Sequence, residues 1–439
     1  MVLGTDEIDE GLADDWQYCP PDPDGTAFLQ YTSGTTRSPA GVVISHRNLV
    51  VNAVQIAGHA GMSAATVAVS WLPLFHDMGM MFGLVLPLVL GARSVQLSPA
   101  AFLYQPARWL RLITDLGGTV TAAPDFAFNL CVDRISAEQR AGLDLSTLQC
   151  VVSGAERVRA PTLRRFQESF AGQGFSPSAW APGFGLAEAT LAVTGSVQTD
   201  QPRVLAVDRT LIAKGTVRVA ADESAAACAT EVVSCGPPIS GLRMAIVAPD
   251  SREPLPEDQV GEVWVHGPSV ATGYFRRPDE TSRVFGGELS APDGKRYLRT
   301  GDLGFLHGGE LYLVGRIKDL IIVDGRNQYP PDLEQTAEQA HPAIRNGGCA
   351  VFGIEDSELE RIVVVVEVAA EALARDRAAT LEDLRAAVRR EIAASHEVSV
   401  FDVVPVKRGA IPRTTSGKLR RSSCREAYLD GGLITPDAS

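Results

Sequence analysis

Val67-Ala-Val-Ser-Trp-Leu-Pro, Gly118-Thr-Val-Thr-Ala-Ala-Pro and Leu148-Gln-Cys-Val-Val-Ser-Gly are three short apolar runs, each closed by a glycine or a proline. Such short apolar runs between Gly- and Pro-rich turns read as strands. Between them, Ala107 to Leu116 and Thr162 to Phe170 carry apolar residues at helical spacing, with arginines on the other side. Strands alternating with amphipathic helices are the pattern of an α/β protein, with helices covering a sheet.

Downstream the pattern changes. From Pro237 to Val314, Arg243-Met-Ala-Ile-Val, Gly261-Glu-Val-Trp-Val-His-Gly and Gly309-Glu-Leu-Tyr-Leu-Val-Gly read as strands joined by tight turns, and predict a small antiparallel barrel. After Gly315 comes a shorter α+β unit: strand Gly348 to Ile354, strand Arg361 to Val368, a helix from Thr380 to Ser395 opened by a Thr380/Asp383 capping box, and strand Phe401 to Val406. A domain boundary is placed near Lys318. Val193 to Val232 is rich in Ala, Thr and Asp with weak periodicity and reads as an insertion. Met78 to Ala92 is the longest apolar run, short of the ~20 residues that span a bilayer, and is expected to be a buried core segment without stable membrane insertion.

With 439 residues, 45% apolar and 21% charged, the chain has enough material for two or three packed domains. Its net charge of −13 speaks against nucleic acid as a partner, so any phosphate must be held locally. Seven scattered cysteines, never spaced C-x-x-C, fit neither a zinc site nor a disulfide framework and suit a reducing cytoplasm. Met1 to Asp15 is acidic and lacks the basic and apolar parts of a secretion signal.

Directly after Ala27-Phe-Leu-Gln stands Tyr31-Thr-Ser-Gly-Thr-Thr-Arg-Ser-Pro-Ala-Gly-Val-Val. Its hydroxyls and backbone N–H groups suit phosphate oxygens; by composition alone it is equally a polar surface hairpin. Six further segments follow: Trp71-Leu-Pro-Leu-Phe-His-Asp-Met-Gly, Ser153-Gly-Ala-Glu, Gly183-Phe-Gly-Leu-Ala-Glu-Ala-Thr, Arg299-Thr-Gly-Asp-Leu, Gly315-Arg-Ile-Lys-Asp-Leu-Ile-Ile-Val-Asp-Gly-Arg-Asn and Pro412-Arg-Thr-Thr-Ser-Gly-Lys-Leu. In this order they resemble the motifs of the adenylate-forming superfamily of acyl-activating enzymes, and specifically its fatty acyl-AMP ligases, from Asp22 to Leu433.

That resemblance implies an adenylate-forming fold: an α/β core over residues 1–316, with a barrel part over 237–314 and an insertion over 193–232, followed by a small mobile α+β domain over 317–439. It implies ATP as substrate and Mg²⁺ as cofactor. Thr32, Ser33, Gly34, Thr35 and Thr36 match the loop that cradles the β- and γ-phosphates, with Arg37 and Ala40 where most of the superfamily has glycine and lysine. His76 matches the residue at the mouth of the acyl pocket. Gly154, Ala155 and Glu156 match the adenine-edge segment, Phe184 the aromatic that stacks on the base, and Gly185 the turn after it. Glu188 matches the magnesium ligand, Asp302 the acid that accepts the ribose hydroxyls, and Arg316 the contact to ribose and α-phosphate. Lys318 matches the hinge and Lys418 the lysine brought to the forming acyl-phosphate bond.

The function implied is activation of a fatty or related carboxylate to acyl-AMP, with transfer to the phosphopantetheine thiol of an acyl carrier protein of a polyketide or lipid pathway. Gly185-Leu-Ala-Glu-Ala-Thr, the Arg37/Ala40 loop, Asp324-Gly-Arg-Asn-Gln-Tyr-Pro and the insertion favour this over acyl-CoA synthesis. The family carries about one domain's worth of chain before its phosphate loop, whereas here the loop starts some thirty residues in. The resemblance therefore implies an N-terminal segment or partner chain beyond these residues. A non-catalytic fragment that retains nucleotide or acyl binding is the alternative.

Overall fold

The computed structural model describes residues 9–32, 39–196, 201–220, 229–323, 326–356, 359–373, 377–414 and 417–436. After a short helical turn at Glu10–Asp15, β1 (Thr26–Thr32) and β2 (Ala40–Ser45) form a hairpin. Ser45 then caps the helix His46–His59: its hydroxyl accepts from the Asn48 N–H, and the Asn48 side chain accepts from the Ser45 N–H in return. The main sheet follows, built from β3 (Val67–Ser70), β4 (Arg93–Gln96), β5 (Val120–Ala123), β6 (Cys150–Ser153), β7 (Trp180–Gly185) and β8 (Ala192–Gly195) in the order β4-β3-β5-β6-β7-β8. All strands but β8 run parallel, and the three quoted runs supply β3, β5 and β6.

The helices Ala107–Leu116 and Ala160–Phe170 cover this sheet and bury Trp109, Leu110, Ile113, Leu163 and Phe166 against it. Asn52, fully buried, both donates to the Ala192 carbonyl (3.0 Å) and accepts from its N–H (3.1 Å), so a side-chain amide ties the edge strand β8 to the first helix.

The Met78 to Ala92 run departs from expectation. It forms consecutive helical turns from Asp77 to Leu90, with a wide π-type turn at Met81–Val85. Met81 and Phe82 are buried, but Leu84, Leu88 and Val89 are exposed.

The expected insertion begins later than position 193, because Val193 lies wholly buried in β8. Beyond it, β9 (Val204–Asp208) pairs antiparallel with β10 (Ala229–Val233). Val207, Ile212, Val217 and Val232 pack onto Leu303, Phe305 and Tyr312. The expected barrel is an open four-stranded antiparallel meander of β11 (Arg243–Val247), β12 (Gly261–His266), β13 (Leu298–His307) and β14 (Glu310–Arg316). It does not close because β11 and β14 are its two edges; β14 is met by a bridge from Ser234 to Tyr312.

After a single helical turn at Ile317–Asp319 and the short hairpin β15 (Ile321–Val323) and β16 (Arg326–Gln328), the C-terminal unit forms a core of its own. β17 (Ile344–Asp356) and β18 (Leu359–Val368) are antiparallel, and β19 (Val400–Val406) returns parallel to β18 through the helix Arg377–His396. Alternate residues of β18 serve different sides: Ile362, Val364 and Val366 face the helices Pro330–Ala340 and Arg377–His396, whereas Val363 and Val365 pack with Cys424 of the helix Arg421–Leu429. Thr380 is no cap, since the helix starts three residues earlier; Asp383 instead faces His341 at 3.3 Å.

Candidate active site

One cavity of about 1780 Å³ lies between the C-terminal ends of the parallel strands, the meander and the C-terminal unit. Crevices at strand C-termini are where open α/β sheets bind ligands. All the predicted site residues that fall within the described chain line it.

Asp302 stands opposite Arg316 across β13 and β14. Its Oδ1 accepts from Arg316 Nε at 2.7 Å, while its Oδ2 is buried without a hydrogen-bond partner in the protein. A buried carboxylate oxygen left open toward a cavity is a position for a ligand donor. The Asp302 carboxylate is the main cause that raises the pKa of Arg316. The turn before it is fixed by Glu262, a buried acid that accepts from Gly301 N–H (3.1 Å), Trp264 Nε1 (2.8 Å) and Arg299 Nη2 (3.1 Å). Gly301 has φ +70, a left-handed conformation that favours glycine.

Glu188 sits in a single turn after β7. Its Oε1 accepts from the Tyr274 hydroxyl at 2.7 Å. Burial raises its carboxyl pKa, against the opposing effect of the Tyr274 hydrogen bond. No group of three or more His, Cys, Asp or Glu side chains arranged to hold a metal occurs among the described residues. A half-buried acid beside a cavity does fit Mg²⁺, which takes one or two protein carboxylates and completes its shell with phosphates and water.

His76 caps the turn that follows Phe75, and its Nδ1 lies 2.7 Å from Asp77 Oδ1. Burial raises the Asp77 pKa, but His76, Lys418 and the Met78 N–H outweigh it and the net shift is downward. Lys418 comes to the same place from the C-terminal unit. Burial lowers its ammonium pKa, and Arg316 adds to that; Asp77, Glu156 and Asp302 oppose it. Its N–H is held by Thr414 Oγ1 at 3.0 Å. The preceding Gly417, at φ +86, rests on the Phe126 ring so closely that a Cβ there would fall 2.4 Å from Cε1. Phe126 is in turn fixed by its N–H to Glu156 Oε1 at 2.9 Å.

Gly154, Ala155 and Glu156 follow β6, with Ala155 at φ +66. Phe184 is buried on β7 and reaches the cavity, and at Gly185 any Cβ would collide with the Leu191 carbonyl, 1.9 Å away. Thr32 ends β1 and lines the cavity; Ser33, Gly34, Thr35, Thr36 and Arg37 lie outside the described residues. Lys318 lies in the single turn between the two units.

Several residues here escape sequence reading because their partners are remote in the chain. Arg157 pairs with Asp332 and Arg159 with Glu338, each at 2.6 Å, joining the α/β core to the helix Pro330–Ala340. The insertion touches the same unit: Asn327 N–H donates to the Ala213 carbonyl (3.2 Å), and Thr230 to Asp332 (3.2 Å).

A doubly wound core, a separate small unit that carries a lysine into the cleft, and a large cavity between them define the adenylate-forming class. The family model for AMP-binding enzymes matches residues 3–275, and that of the Disco-interacting protein 2-like AMP domain matches residues 318–437. The chain is 40% identical to the medium-chain-fatty-acid–[acyl-carrier-protein] ligase JamA of Moorena producens, over 98% of this chain and 72% of that protein. It is 41% identical to the long-chain-fatty-acid–AMP ligase FadD26 of Mycobacterium marinum, over 100% of this chain and 76% of that one. The crystal structure of a fatty acyl-adenylate ligase from L. pneumophila in complex with acyl adenylate and pyrophosphate superposes with a TM-score of 0.71 at 37% identity, over 98% of this chain and 74% of that one. The chain belongs to the AMP-binding enzyme family, and within it to the fatty acyl-AMP ligases.

Proposed function

We propose that this protein activates a fatty carboxylate with ATP and passes the acyl group to the thiol of an acyl carrier protein. The observation that carries the proposal is Lys418, brought from the C-terminal unit into the cleft that also holds His76, Glu188 and Asp302. In the first step a carboxylate oxygen attacks the α-phosphorus of ATP; the acyl–phosphate bond forms, the bond to the β-phosphate breaks, and pyrophosphate leaves. In the second the thiolate attacks the acyl carbon and AMP leaves.

In this reading Asp302 Oδ2 accepts from the ribose, Arg316 faces ribose and α-phosphate, and Phe184 stacks on adenine against Gly154, Ala155 and Glu156. The loop Thr32 to Thr36 cradles the outer phosphates. His76 borders the acyl entrance, where its pairing with Asp77 fixes the ring. Lys418 offsets charge that builds on the oxygens around the α-phosphorus. Glu188 would hold Mg²⁺, which when bound neutralises phosphate charge. Residues 1–316 form the adenylation core, and 317–439 the mobile domain that turns about Lys318. The six free cysteines among the described residues suit a cytoplasmic setting, and no described helix is long and apolar enough to cross a membrane.

Incubation with ATP, Mg²⁺ and fatty acids is expected to yield acyl-AMP detectable by mass spectrometry. If ATP binds but no acid gives an adenylate, the non-catalytic fragment is the better reading.

The acceptor follows from the insertion. Its contacts to Asn327 and Asp332 hold the C-terminal unit in the lysine-in arrangement, and every ~1.4 kcal/mol of such holding lowers the rotated population about tenfold. A docked carrier protein offsets this with its own contacts, whereas free CoA has few. Replacing residues 201–232 with a short Gly/Ser link is therefore expected to raise acyl-CoA formation at least about tenfold while adenylation persists. Rapid acyl-CoA synthesis by the intact chain would instead favour CoA as the natural acceptor.

A further inference from the structure

The cavity continues past its chemical end into an apolar arm that runs back along the sheet. Cys150 and Val152 of β6 line it, as do Ala181 and Gly183 of β7. Each pair is two residues apart, the period of one face of a pleated strand. Ile56 of the first helix forms the facing wall, and Met62 and Phe82 border the arm at the N-terminal edge of β3.

Met62 and Phe82 also line a second, much smaller cavity of about 10 Å³ together with Leu86, Leu90 and Val120. That is room for about one water-sized sphere in apolar surroundings. The partition between the two spaces is thus a single layer of side chains. Phe82 is aimed there by the π-type turn Met81–Val85, whose Gly83 carbonyl is taken by Ser94 Oγ (2.6 Å) and Gln96 Nε2 (2.7 Å) of β4. Wide turns of this kind recur at functional sites.

Two rulers measure the arm from its chemical end. Along β6, Gly154 to Cys150 is four residues, about 13 Å at ~3.3 Å per residue. Along the helical turns, His76 to Phe82 is six residues, about 9 Å at ~1.5 Å per residue. With C–C bonds of ~1.5 Å an extended alkyl chain advances about 1.3 Å per carbon, so the arm accepts about seven to ten carbons. We propose that the acyl substrate is a straight medium chain of about seven to ten carbons, and that Met62 and Phe82 form the end wall that sets this length. This rests on the acyl-adenylating function proposed above. The names of the relatives span medium-chain and long-chain acids and do not choose between them.

The test is adenylate formation from straight-chain saturated acids of about 6 to 18 carbons, read as kcat/KM for each. The wild type is expected to gain about fourfold per added methylene up to about seven to ten carbons, then to fall at least tenfold toward the long end. Met62→Ala and Phe82→Ala open the wall and should move the optimum at least two carbons longer. Ala181→Leu narrows the arm and should move it shorter. Phe82→Leu, a milder change, gives a smaller shift in the same direction as Phe82→Ala and guards against loss of folding. An optimum at the long end of the wild-type series overturns the length, and profiles unchanged in Met62→Ala, Phe82→Leu and Ala181→Leu overturn the wall. Absence of adenylate from every acid overturns the acyl-adenylating reading itself, a different result from an unshifted profile.

Discussion

Lys418→Ala is expected to slow acyl-AMP formation by about 10²–10³-fold, or about 2.7–4 kcal/mol, while transfer from supplied acyl-AMP to the carrier thiol stays within a few-fold of wild type. The asymmetry follows from where the ammonium is. It reaches the cleft only through the C-terminal unit, with its turn seated on Phe126, and lies among Asp77, Glu156 and Asp302. In the mechanism we propose, its charge is useful while the α-phosphorus gains a fifth oxygen and has no partner to stabilise once the thiol attacks carbon. Separate single-turnover measurements of the two half-reactions decide the matter. Equal losses in both would make Lys418 a binding or folding residue.

Glu334→Ala is the second large effect, and it falls on stability. Glu334 is 1% exposed and takes two hydrogen bonds from Arg421, Nε to Oε1 at 2.7 Å and Nη2 to Oε2 at 2.8 Å, as well as one from the Val351 N–H at 3.1 Å. Arg421 Nη1 also pairs with Asp319 at 3.0 Å, so this one guanidinium ties the linking turn to two helices of the C-terminal unit. Removing the acid leaves a buried cation with half its partners, a loss of about 3–5 kcal/mol. Urea unfolding followed by two probes should show the C-terminal unit melting at lower denaturant, ahead of the α/β core. A single transition at the wild-type midpoint would mean the pair contributes nothing net.

What the sequence makes legible here is what repeats locally. The helix Ala107–Leu116 matches its expected bounds because apolar and basic residues alternate at the period that its buried face requires. The strands Arg243–Val247 and Val400–Val406 are read to within a residue because their turns carry glycine and proline. The seven motif segments could be placed in order, yet their meeting in one cleft is a property of the topology.

The rest was hidden for physical reasons. The insertion has no strong period because its short elements each bury only one or two side chains, such as Val207 and Ile212, on a surface provided by the meander. Thr380 looks like a cap, but the helix gains another turn before it. The run after Asp77 is apolar throughout, and composition gave no sign that Leu88 would stand 71% exposed while Phe82 turned inward. Asn52 and Glu262 are buried polar hubs whose partners are fixed only by the folded backbone. Arg157 and Arg159 look like ordinary solvated arginines in the sequence, since their acids lie 175 and 179 residues away.

Those two arginines bear on the safety of the intermediate. Asp332 and Glu338 stand on one helix, about 9 Å apart along its axis at ~1.5 Å per residue, so a stiff rod carries both. Tilting the rod to free one acid drags the other out of line, and neither pair can be given up by small degrees. If the C-terminal unit turns as proposed, the two pairs would act as a latch with two catches that open together. For a mixed anhydride, which water destroys, a C-terminal unit that turns as proposed would make exposure one brief event: the acyl-adenylate would stay sealed until both catches let go together.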